Sequence, residues 1–160
     1  MNKDIVCLIF LTKGMRKGIN LRWVCFLILI SCKAFSQDKN ITIEFTDVKN
    51  NKGNLGIGIF KTEEEFKSEK PFKSITMTKT SLKNGKLTTS LNLPNGTYGI
   101  SVLDDENNNS KMDYSFIGIP KEGFAFSNYY HTGLSKPKLT QFKFTVNNNK
   151  LKIVCKFRYM

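Results

Sequence analysis

From residue 41 onward, apolar and polar side chains alternate with a period of two, the signature of strands buried on one face. "ITIEFTDV" (41–48) sends Ile41, Ile43 and Phe45 to one side and Thr42, Glu44 and Thr46 to the other. The pattern returns in "LGIGIF" (55–60), "SITMTKTSL" (74–82), "GKLTTSLNL" (85–93), "TYGISVLDD" (97–105), "QFKFTV" (141–146) and "LKIVCKFRY" (151–159). Turn chemistry separates these runs. "NNKGN" and "NNNK" are polar turns, and in "PNG" Pro94 sets φ while Asn95 and Gly96 accept the left-handed conformation. Gly56 and Gly58 fall on one face of the second run, which means either a loss of packing area or close approach by another backbone or side chain there.

One stretch breaks the alternation. In "TEEEFKSEKPF" (62–72), Thr62 followed by Glu65 has the form of a capping box, which predicts one or two helical turns carrying Phe66 inward. "YSFIGIPKEGFAFSNYYHTG" reads as an irregular, aromatic-rich segment covering the core. About seven strands, few helical residues and turns roughly every ten residues predict an all-β fold. The expected form is an antiparallel β-sandwich, immunoglobulin-like or transthyretin-like.

The pattern upstream is different. Arg16, Lys17 and Arg22 precede an apolar run, Trp23 to Ile30, which gives way to "CKAFSQ". Charge, short apolar run and small residues in that order predict a signal peptide over residues 1–36, cleaved after Ser36 to leave Gln37 first. The run is shorter than the ~20 residues of a membrane span. A second apolar run, "IVCLIFL", lies before the basic cluster, and translation from Met15 would omit it. "LISC" (29–32) offers a rival processing site, in which Cys32 is lipidated and anchors the product. The expectation is one exported domain, residues 37–160, periplasmic or extracellular and monomeric.

Charge then loses much of its apparent meaning. The chain has 25 basic and 13 acidic residues, but six of the former and one of the latter precede residue 37, leaving +7 on residues 37–160. Those lysines are scattered singly along strands, which suits solubility and edge protection and argues against nucleic-acid binding. Of four cysteines only Cys155 lies beyond the leader, so no internal disulfide is available. Alternation places Cys155 beside Ile153 and Phe157 as buried filler.

The candidate chemistry is concentrated in "LDDENNNSKMD" (103–113). Asp105, Asn107 and Asn109 stand at positions 1, 3 and 5 of a loop; Lys111 would offer a backbone carbonyl at position 7, and Asp113 stands at position 9. Several hard oxygens on a compact loop suit calcium. The bidentate glutamate of an EF-hand would fall at Phe116, so the loop is not an EF-hand, and Glu122 in "IPKEG" is the candidate for the missing ligand. The competing reading is an Asn-rich turn bonded to its own backbone. No His or Cys in the loop points to a transition metal.

A catalytic set is not apparent. His131 beside Tyr129 and Tyr130 has no nameable partner, Ser127 and Asn128 suggest a nucleophile and an oxyanion donor but lack a third member, and Asp104 with Glu122 makes a carboxylate pair only by assertion. Catalytic residues: none assigned. Phe116, Phe124, Phe126, Tyr129 and Tyr130 are expected to cover the core; a platform for sugar or peptide is the sharper alternative.

The "I-x-I-x-F" strand, "GIGIF", "LPNGTYGISVLDDENNNSKMD" and "GIPKEGFAFSN", in that order, resemble the bacterial family named domain of unknown function 2141. Its members look like "LPPGTYAVAVFHDENGNGKLD" followed by G-I-P-x-E-G-x-x-F-S-N. The resemblance covers residues 41–157 and implies an exported all-β domain without implying an activity. Two glycines of the family's loop are replaced here by Asn108 and Ser110. Asn tolerates the left-handed conformation and Ser does so less well, which bears on ion affinity. The leading expectation is a non-enzymatic envelope-binding module stabilised by calcium, its ligand or protein partner unidentified. The alternative is an envelope carbohydrate- or peptide-processing enzyme using the Glu122–His131 loop.

Overall fold

The computed structural model describes residues 39–147 and 150–160. The leader over 1–36, the Met15 start, the Cys32 box and the middle of the "NNNK" turn lie outside the described residues. Eight strands form: β1 (Lys39–Thr46), β2 (Asn54–Phe60), β3 (Lys73–Thr78), β4 (Leu87–Leu93), β5 (Gly96–Asp105), β6 (Gly123–Phe126), β7 (Lys143–Val146) and β8 (Leu151–Lys156). They make a three-stranded sheet in the order β4-β1-β8. The five-stranded sheet runs β3-β2-β5-β6, with β7 also on β5. The all-β, sandwich-like reading holds, with three differences.

The first is a strand not expected. "GFAF", inside the aromatic segment, is β6, and all four of its residues are buried. Burial on both faces leaves no alternation, so the sequence carried no period to read. The second is orientation. β1 pairs with β4 antiparallel but with β8 parallel, Ile41 opposite Leu151 and Phe45 opposite Cys155. The third is length. β3 ends at Thr78, because Lys79 turns into the protein interior.

Alternation did place the core. Ile41, Ile43 and Phe45 of β1, Leu55, Ile57 and Ile59 of β2, and Ile153 and Cys155 of β8 fill the space between the sheets. Each buried aliphatic of this kind contributes roughly 1.5–3 kcal/mol from area removed from water. Cys155 sits between Ile153 and Phe157 as expected, and burial pushes its thiol up to about 12.

A second cluster lies on the opposite face of the larger sheet: Phe60, Phe66, Phe124, Phe126, Leu139 and Phe142. Phe66 comes from α1 (Glu63–Lys67), whose capping box forms as predicted. Thr62 Oγ1 accepts the Glu65 N–H at 3.1 Å, and Glu65 Oε2 accepts that of Thr62 at 3.3 Å. Leu139 and Phe142 come from the short α2 (Leu139–Phe142), which occupies the start of the segment read as strand. Of the two glycines, Gly58 is closely approached by the Phe60 ring of its own strand, which a Cβ would meet at 2.9 Å. A Cβ at Gly56 would make only ordinary contact with Leu103, at 3.8 Å.

β5 is the hub of the larger sheet. Its first half pairs with β7 and its second half with β6, while β2 runs along its other edge. The two sheets meet at a corner, where Phe124 and Arg158 exchange backbone hydrogen bonds of 3.0 and 2.9 Å. The outer end of β5 therefore opens into the loop that carries the candidate chemistry.

The buried, high-pKa thiol predicts kinetic protection. Iodoacetamide at neutral pH should leave Cys155 unmodified in the folded chain and modify it once denaturant is added, as read by peptide mass mapping. Equal modification in both states would contradict this burial.

Candidate functional site

The connection from β5 to β6 folds around the carboxylate of Asp105, a buried side chain on the outer face of the sheet. Its Oδ1 accepts the Asn109 N–H at 3.0 Å and its Oδ2 accepts that of Ser110 at 2.8 Å. Asn107 Oδ1 also accepts the Asn109 N–H at 3.0 Å, and Asn109 Oδ1 accepts that of Lys111 at 2.8 Å. These are nested Asx turns, which satisfy backbone donors that a tight loop would otherwise leave unpaired.

Asp113 and Glu122 close the loop. The amide nitrogens of Asn107 and Asn109 donate to Asp113 Oδ2 at 2.6 and 3.1 Å. Glu122, itself buried, accepts the Glu106 N–H on Oε1 and the Asp113 N–H on Oε2, each at 3.2 Å. Asp105, Asn107, Asn109, Asp113 and Glu122 are thus brought into one hydrogen-bonded unit. Lys111 enters it through its N–H, given to Asn109.

Electrostatics of the unit disfavour the charge of Glu122. Burial raises the Glu122 carboxyl above its ordinary value, and the neighbouring carboxylates of Asp105 and Asp113 push the same way; the two backbone N–H groups only partly oppose this. Among the described residues, no group of three or more His, Cys, Asp or Glu side chains stands as a metal-holding cluster. Cation ligands here would have to include amide oxygens as well as carboxylates. Asn107 and Asn109 Oδ1 each keep a second lone pair beyond the N–H they accept.

The two glycine replacements identify where the backbone is forced. Asn108 has φ 59° and Ser110 φ 62°, both left-handed. Asn108 is supported from outside, its Oδ1 accepting Asn54 Nδ2 at 2.7 Å. Gly53, with φ 66°, lies directly against the strand end. A Cβ there would fall 2.0 Å from the Asp105 carbonyl oxygen, so only glycine lets the β1–β2 turn pass.

Beside the loop, on the outer face of the larger sheet, lies a cleft of about 690 Å³. Gly56, Ser74, Thr76, Ser101 and Leu103 line it from the strands, with Phe124, Phe126 and His131 among the other lining residues. His131 Nε2 donates to the Ser135 carbonyl at 2.7 Å, which assigns a proton to that nitrogen because a carbonyl can only accept. Glu122 and Ser127 do not line this cleft. Ser127 is fully buried, its Oγ accepting the Ile100 N–H at 2.9 Å and donating to the Phe142 carbonyl. Asn128 Oδ1 takes the Val154 N–H at 2.9 Å. Both residues of the suggested nucleophile and oxyanion pair are therefore committed to joining strands.

The aromatic segment divides. Phe124 and Phe126 cover the core, as expected, whereas Phe116 is fully exposed and Tyr130 half-exposed. Sequence reasoning missed Lys79 and Tyr159. Lys79 Nζ contacts Asp104 Oδ1 with both side chains fully buried, and Tyr159 donates its hydroxyl hydrogen to Asp104 Oδ2 at 2.6 Å. The available signal was weak: a lysine at the end of a strand pattern, and a carboxylate, Asp104, on the apolar side of the alternation in "TYGISVLDD".

The family model described as "Uncharacterized protein conserved in bacteria (DUF2141)" matches residues 43–154, from within β1 to within β8. No curated protein and no solved structure matches the chain.

Two outcomes follow from this geometry. Ser110→Gly should raise stability by about 1 kcal/mol in urea unfolding, because glycine relieves the left-handed strain at that position; a loss of stability would show that the hydroxyl matters more than the backbone. The folded state also holds the Glu122 proton more tightly than the unfolded chain does. This group therefore favours folding most below its ordinary value of 4.5, and that contribution is lost as pH rises through the raised folded value. Unfolding measured from about pH 4 to about pH 7 should show the decline, and Glu122→Gln should flatten it.

Proposed function

We propose, on the premise that the chain belongs to the DUF2141 family, that it is an exported, non-enzymatic binding module of the cell envelope whose Asp105–Asp113 loop is stabilised by calcium. In this reading residues 1–36 direct export and are removed, and residues 37–160 act as a monomeric domain on an envelope ligand or protein. No helix among the described residues is long and apolar enough to cross a membrane.

The observation that supports the calcium reading is the hydrogen-bonded unit of Asp105, Asn107, Asn109, Asp113 and Glu122, which brings amide as well as carboxylate oxygens to one loop. Backbone and amide donors hold them there, and the Asp105 and Asp113 carboxylates disfavour the charge of Glu122. A divalent cation would offset that repulsion at Glu122. The residues that would hold it are Asp105, Asn107, Asn109 and Asp113, with Glu122 and the Lys111 carbonyl completing the oxygen set. Few carboxylates and partial burial suit the weak, ~10⁻⁴ to 10⁻³ M class of extracellular calcium modules. The binding reading over the enzymatic one rests on Ser127 and Asn128 being committed to structure, which leaves His131 in the cleft without a partner base or nucleophile from that pair.

An ion that binds only the folded chain must stabilise it by RT ln(1 + [Ca]/Kd), about 2.7 kcal/mol at a hundredfold excess over Kd. Melting temperature should rise with millimolar calcium and much less with magnesium, which demands tight octahedral geometry. Asp105→Ala should remove most of the calcium-dependent increment, and Glu106→Gln should retain it. Coincident melting curves in calcium and in chelator would defeat the reading.

A further inference from the structure

Lys79 and Asp104 form the one ion pair among the described residues in which neither side chain has any solvent exposure; the pairs of Glu69, Glu44 and Asp47 with Lys136, Lys152 and Lys156 all have an exposed member. Lys79 reaches in from the β3–β4 connection, and Asp104 points from β5 into the space between the sheets. Tyr159, just beyond β8, completes the set by donating to Asp104 Oδ2 at 2.6 Å while its oxygen accepts the Lys49 N–H at 2.9 Å. Burial and the Asp104 carboxylate both hold the Tyr159 phenol in its protonated, donating form.

Removing two full charges from water carries a heavy desolvation penalty, which a neutral group in the same place would avoid. The same environment holds a nitrogen against one carboxylate oxygen while the other is fixed by a hydrogen-bond donor. That is the arrangement needed for amine attack on a carboxyl carbon: reactants in contact, a donor at the oxygen that takes up negative charge, and no bulk water.

We propose that Lys79 and Asp104 condense into an intramolecular amide that ties the β3–β4 connection to β5. One proton passes from the ammonium to Asp104 Oδ1, and the nitrogen lone pair attacks Asp104 Cγ. Negative charge then gathers on Oδ2, where Tyr159 donates. A second proton leaves the nitrogen for Oδ1, the Cγ–Oδ1 bond breaks, and one water departs. Oδ2 becomes the amide oxygen and one hydrogen stays on Nζ. No oxidant, cofactor or activated group enters the balance. Exclusion of water then protects the amide from hydrolysis. The link is independent of calcium and of any envelope ligand, and goes beyond that reading.

The test is a peptide map of the chain purified from the producing cell and fully denatured before trypsin digestion. An acylated Lys79 resists trypsin, so residues 74–83 and 87–111 should appear as one branched species, lighter than the sum of the two peptides by one water. Fragmentation should place the branch at Lys79 and Asp104. Recovery of residues 74–79 and 87–111 as separate, unmodified peptides would overturn the proposal, with no variant required. Lys79→Arg, which keeps the cation, should give only linear peptides; a persisting branch would overturn the assignment to Lys79. Tyr159→Phe keeps the ring in place and should slow linkage in freshly synthesised chains by about tenfold or more. An unchanged rate, with an unchanged circular dichroism spectrum, would remove Tyr159 from the step.

Discussion

The pleat of β5 sends two consecutive carboxylates to opposite sides of one sheet. Asp104 continues the inward series of Tyr98, Ile100 and Val102 and meets Lys79 and Tyr159. Asp105 points outward and caps the loop through Asn109 and Ser110. A slip of one residue in pairing would exchange them. The loop-capping carboxylate would then be buried without its loop, and the lysine would be left in the core without a partner. Charge as well as hydrophobic pattern therefore fixes the register of β5, and the register of β5 fixes that of β2, β6 and β7, which pair with it.

Much of this was legible in the sequence where a strand has one wet and one dry face. β1 is the clearest case, since Ile41, Ile43 and Phe45 are buried as alternation requires. Local chemistry was equally readable: the capping box at Thr62 and Glu65 forms, and the positions where glycine was missed, Asn108 and Ser110, are the left-handed ones. These features depend on residues a few positions apart.

What the sequence did not disclose depends on distant residues. β6 is dry on both faces, so Phe124 and Phe126 gave no alternation to count. The inward turn of Lys79 makes sense only once Asp104 is present to receive it, across 25 positions. Tyr159 joins the same group from 55 positions away. The spacing of Asp105, Asn107, Asn109 and Asp113 was visible, but that Glu122 grips the loop by the N–H groups of Glu106 and Asp113 was not. Its place was inferred from proximity in sequence; the reason for it is the hairpin-like return of the chain at Lys121, whose N–H bonds to the Asp113 carbonyl.

The parallel pairing of β1 with β8 has a consequence in time. β1 is the central strand of its sheet, and one of its two neighbours is β8, the last strand among the described residues. Residues 41–46 wait for residues 151–156, so half of the hydrogen-bonding edge of β1 stays open until nearly the whole domain has been delivered. Loop closure over such a separation is slow, so this sheet completes late in folding. Once β8 docks, the open edge disappears, and reopening it requires undoing the sheet from its centre.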